Sequence, residues 1–128
     1  MSALAGAIAG EEAAVYAYGL AGSRLSGADR DRALGGLASH RARLLQLRDL
    51  SGAAALPGAP GGYDTAAPGS EAEARTLLAD VESRLAAAYA DLAAETSSDE
   101  RVNAALAAAE CQVRAIGWGG EPEAFPGR

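Results

Sequence analysis

The stretch SGAAALPGAPGGYDTAAPG, from Ser51 to Gly69, holds three prolines and five glycines in nineteen residues, so it cannot continue the helical pattern that flanks it. A structureless loop of this length is uncommon inside a compact domain. Fully extended, it reaches about 60 Å, roughly twice the ~30 Å length of a twenty-residue helix. Such a segment can carry the chain back along the whole length of a helical bundle. The helices on its two sides would then run parallel.

Outward from this segment, apolar side chains recur at steps of three and four in four blocks. The first block, about residues 3–25, places Leu4, Ile8, Glu11, Val15, Tyr18 and Gly22 on one face and stops at Ser26-Gly27. The second, about 28–50, aligns Ala33, Leu37, His40, Leu44 and Leu47. Ser70 followed by Glu73 reads as a capping box opening the third block, about 70–95, with Ala74, Leu78, Val81, Leu85, Ala88 and Leu92 in line. Ser97 and Glu100 repeat that signal before the fourth, about 98–117, whose seam is Val102, Leu106, Ala109, Val113 and Ile116 and whose stop is Gly117. An extended tail, 118–128, would be anchored by Trp118 and Phe125. The expected architecture is one all-α domain over 1–128, a four-helix bundle with one long crossover between helices 2 and 3.

Composition agrees. Of 128 residues 34 are Ala and 15 Leu, while Val, Ile and Thr are scarce, which disfavours an all-β or Rossmann-type chain. The net charge of −6 and a pI near 4.7 argue against nucleic-acid binding, which needs a basic face. Neither a membrane-spanning run nor a basic leader is expected at the N-terminus. The lone Cys111 fits a reducing compartment, hence a cytosolic location. Six Arg against three Asp between Arg24 and Asp49 make one region basic in an otherwise acidic chain. Ala-rich helices bury modest area alone, so a homodimer is expected, with that basic stretch against Glu71, Glu73 and Asp80 of a second copy.

One constellation points to chemistry. Bundles that bind two metal ions use a Glu from each of two helices and Glu-x-x-His from the other two, because residues three apart share a face and can grip one ion. Helix 1 offers Glu11-x-x-Ala14-x-x-x-Tyr18, with Glu11 aimed inward slightly better than Glu12. Helix 2 reads Leu37-x-x-His40, helix 3 offers Glu82, and helix 4 reads Glu110-x-x-Val113, so each paired motif has lost a different half. Glu11, His40, Glu82 and Glu110 are therefore expected as remnant metal positions. Iron or manganese would suit them, though no cofactor is the leading expectation. Gly35-Gly36 and the glycines at 58, 61 and 62 lack the context of a phosphate loop. Cys111, Tyr16, Tyr18 and Tyr89 read first as packing residues.

The segments Glu11-Glu12-Ala13-Ala14-Val15-Tyr16-Ala17-Tyr18-Gly19, His40-Arg41-Ala42-Arg43, Ala88-Tyr89-Ala90-Asp91-Leu92 and Ala124-Phe125-Pro126-Gly127 together resemble a bacterial, mainly actinobacterial, ferritin-like family described as a domain of unknown function. The resemblance spans the chain. It implies a ferritin-like fold without an assigned activity and without the full two-metal ligand set. The expected role is a non-enzymatic structural or interaction module. The alternative is a metal-binding protein or oxidoreductase remnant, and a third reading is a small-ligand pocket where metals once sat.

Overall fold

The computed structural model describes residues 2–52 and 66–122. It contains α1 (Ala3–Gly22), α2 (Gly27–Ser51), α3 (Glu71–Glu95) and α4 (Ser98–Gly117), with no strand among the described residues. Helix α1 stops three residues short of the expected Leu25. The Arg24 amide turns back onto the Ala21 carbonyl at 2.9 Å, and Leu25 then tucks into the core. At the start of α3 the Ser70 hydroxyl accepts from the Glu73 amide at 3.1 Å, while the Glu73 carboxylate reaches back to the Gly69 amide at 3.0 Å. The second expected box does not form, because Ser97 makes no side-chain cap bond. Arg101 closes that corner instead, its Nε donating to the carbonyls of Thr96 at 2.8 Å and Ala93 at 3.2 Å. The end of α4 is also reset: Trp118 is the cap, and the left-handed residue is Gly119, φ 103°, not Gly117.

Partner residues fix the topology. Along α1 and α3, Ala3 meets Glu95, Glu11 meets Tyr89 and Tyr18 meets Glu82, so these helices are antiparallel. Along α2 and α3 the numbers rise together, from Ser26 with Glu71 through Asp29 with Arg75 to His40 with Glu82. Helices α2 and α3 therefore run parallel. Gly52, at the end of α2, and Pro68, whose carbonyl accepts from Arg24 Nε at 3.0 Å, lie at opposite ends of the bundle. That is the long crossover expected from the sequence. Leu56 and Tyr63, the two large side chains of this segment, lie outside the described residues, as do Phe125 and the tail after Pro122.

Two apolar clusters occupy the ends of the bundle. One gathers Ile8, Leu47, Leu85 and Leu92 with a set of alanines, the other Leu25, Leu78 and Trp118 with Ala17, Ala21 and Ala74. Between them lies a polar layer. The α4 seam is reversed relative to expectation: Val102, Leu106, Val113 and Ile116 are exposed, and Ala104, Ala107, Ala108, Cys111 and Ala115 face the core. Tyr18 and Tyr89, the largest fully buried side chains, fill the middle of the bundle, and at native packing density only small residues fit opposite them.

Candidate functional site

The polar layer grows from a repeat that spacing alone predicts to be one-sided. Helix α1 carries Glu11 and Tyr18, helix α3 carries Glu82 and Tyr89, and seven residues separate the members of each pair. Seven residues are about two helical turns, so each Glu and Tyr share a face. Because the helices are antiparallel, the pairs cross-bond: the Tyr18 hydroxyl donates to Glu82 Oε2, and the Tyr89 hydroxyl donates to Glu11 Oε2. Neither resemblance to a metal motif nor apolar periodicity exposes this clasp. The duplicated Glu-x6-Tyr would have.

His40 of α2 stands between the two halves. Its Nδ1 is 2.5 Å from Glu11 Oε1 and its Nε2 is 2.8 Å from Glu82 Oε2. Gly36, one turn earlier, lets the Tyr18 ring lie against α2, since a Cβ there would sit 2.5 Å from Tyr18 Cε2. The Tyr18 and His40 ring centroids are 5.3 Å apart. Trp118, at the end of α4, donates from Nε1 to the Tyr18 hydroxyl at 3.1 Å. Its outer face is covered by the Arg32 guanidinium, 4.2 Å from the ring centroid.

Exposure of Glu11, His40 and Glu82 is 0, 1 and 0 %. Burial alone would lower the His40 pKa, but the hydrogen bonds to Glu11 and Glu82 and the charge of both carboxylates outweigh it, and the value is pushed up to about 9. The reason is the donor count: a neutral imidazole offers one N–H, and its other nitrogen would face a carboxylate lone pair to lone pair. Desolvation, followed by the neighbouring carboxylate, pushes both phenols far above their ordinary range. The buried Cys111 thiol moves the same way, through desolvation and then the charges of Glu82 and Glu11. Cys111 and Trp118, packing and anchoring residues by the sequence pattern, both border the layer.

Three of the four expected metal positions thus meet, and one does not. Glu110 is exposed and bridges to Arg43 at 2.6 Å. Val113, expected to replace an inward ligand, points outward, so the inward residue of α4 at this level is Cys111. Glu12 turns to Arg48 at 3.4 Å. The fit of an iron or manganese pair can be tested on the donors themselves. Glu11 and Glu82 take opposite edges of one imidazole, so their oxygens do not converge with a ring nitrogen on a common point, and no trio of His, Cys, Asp or Glu among the described residues does. The residues do not fit a two-metal centre. A groove of about 660 Å³ between α2 and α4, bordered by Leu47, Leu50, Leu92 and Leu106, reaches the Tyr89 ring but lies outside the carboxylate and imidazole contacts.

No curated protein matches this chain. Among solved structures it is similar to a conserved hypothetical protein, rv2844, from Mycobacterium tuberculosis, at 28 % identity and a TM-score of 0.84 over 91 % of each chain. The model of the family described as a domain of unknown function, DUF4439, matches residues 3–128, and the chain belongs to that family.

Proposed function

We propose that the chain is a non-enzymatic structural or interaction module, a ferritin-like scaffold whose metal level has become a buried polar clasp. One observation carries this reading: each ring nitrogen of His40 is committed to a different carboxylate, and each carboxylate also takes a tyrosine hydroxyl. General acid–base or nucleophilic catalysis needs a reachable group that titrates near the working pH. Here the imidazole is held as a cation, the phenols and the thiol are held protonated, and the carboxylates and imidazole are sealed from solvent. The crossover topology supports the ferritin-like assignment, and a single buried thiol fits a cytosolic location. No helix among the described residues is long and apolar enough to cross a membrane.

One atom favours the alternative of a single bound iron or manganese ion: Glu82 Oε1 is buried without a hydrogen-bond partner. Loading with Fe(II), Mn(II) and Zn(II) in turn, followed by dialysis and metal analysis, separates the readings. The clasp predicts far less than one metal per chain and an unchanged NMR signal from His40, the one histidine of the sequence. Retention of one equivalent, with His40 shifted, would overturn it.

A further inference from the structure

The face of α4 that looks away from the bundle carries the larger apolar side chains, and the face that looks in carries the smaller ones. Val102, Leu106, Ala109, Val113 and Ile116 follow one another at spacings of four, three, four and three, the rhythm of a coiled-coil seam. The four larger members are 56, 57, 69 and 44 % exposed. Together they present on the order of 400 Å² of apolar surface in one strip, the size of the largest patch on an ordinary monomer, which is often functional. We propose that this strip is the interface of a symmetric homodimer in which α4 packs antiparallel against α4 of a second copy, with Ala109 on the two-fold axis.

Three features select that occupant. A two-fold operation on an antiparallel pair sets Val102 against Ile116 and Leu106 against Val113, so each large side chain meets an apolar one. The smallest residue then falls at the crossing point, where helices approach most closely. Charge chooses the direction: α4 begins with Asp99 and Glu100 and carries Arg114 in its last turn. A parallel pair would stack the acidic turns on one another, whereas the antiparallel pair brings acidic start toward basic end. The strip supplies about half of the ~800 Å² that each partner buries in a standard interface, before the exposed flanking residues Asn103 and Ala105 are counted.

Two of the three acidic groups of the electrostatic dimer expected from the sequence make internal contacts, while Asp80 is exposed. Glu71 accepts from Ser26, and Glu73 caps α3. The α4 contact deepens the interaction-module reading, and it is judged by mass and cross-linking, where that reading is judged by metal content.

The test is light scattering on the full chain at micromolar concentration, with and without about 0.5 M NaCl, which shortens the Debye length to roughly 4 Å. A mass twice the 12.8 kDa of the chain, kept in salt, is expected. Leu106→Glu and Val113→Glu, both on solvent-facing positions of the isolated chain, should give a monomer with unchanged helical circular dichroism. Oxidised Ala109→Cys should cross-link to a covalent dimer, while Val102→Cys should not. A monomer at every concentration, a dimer that survives both Glu substitutions, or cross-linking through Val102→Cys in place of Ala109→Cys would each overturn the proposal. The first of these would leave the strip to an amphipathic helix of a different protein.

Discussion

Two adjacent glycines show how much one side chain can decide. A Cβ at Gly35 meets nothing within 4 Å, whereas one at Gly36 collides with Tyr18. Both sit inside α2, where Ala is preferred to Gly by about 1 kcal/mol. Gly35→Ala should therefore raise stability by up to about 1 kcal/mol. Gly36→Ala should lower it by about 1–3 kcal/mol, because the displaced phenol also gives up its bonds with Glu82 and Trp118. Chemical denaturation of the two variants checks the contrast, and equal effects would remove Tyr18 from its place against α2. Glu11 is a second such position, as it accepts from both His40 and Tyr89. Glu11→Ala leaves a buried cation short of a partner, a loss of about 3–5 kcal/mol. Glu11→Gln keeps the shape and one acceptor, so it should cost clearly less, and the same denaturation series reads the difference.

At the level of elements, the crossover was legible because the prolines and glycines between Gly52 and Gly69 break the helical pattern and the extended reach of that segment exceeds the length of the flanking helices. Spin labels at the exposed Leu50 and Ala67 should report about 30–40 Å, the length of α2. A separation near 10 Å would restore a simple up-and-down bundle. The inward position of Glu11, His40 and Glu82 was legible too, since helical phase places them among apolar residues. The orientation of α4 was not. Its two stripes, Val102 to Ile116 and Ala104 to Ala115, have the same period, and periodicity does not say which one faces the core. Size would have misled as well, because the volume beside α4 is already taken by Tyr18 and Tyr89 from other helices. That error of face is what made Glu110 and Val113 look like parts of a ligand set. The clasp itself needed the antiparallel register of α1 and α3, which no single helix encodes.

For the whole molecule, the clasp makes stability depend on pH. The unfolded chain holds His40 near its ordinary value of about 6.5, and the folded chain holds it at about 9. The folded state therefore binds the proton more tightly, so its advantage is complete below pH 6.5 and is lost as the pH rises through 9. The difference corresponds to on the order of 3 kcal/mol, a fall in Tm on the order of 10 °C for a chain of this size. The Cys111 thiol is also pushed up in the fold, so above pH 8.5 it adds a loss of the same sign. The two contributions separate by variant. Cys111→Ala should keep the decline between pH 6.5 and 8.5 and soften it above. His40→Gln, which carries no proton to lose, should start less stable and stay level through the lower window. Melting curves of the three proteins from pH 6 to 9.5 decide the matter: a flat wild-type curve would mean that His40 is not held as a cation between Glu11 and Glu82. A titrating His40 signal centred near 6.5 in place of 9 would carry the same message from within the layer.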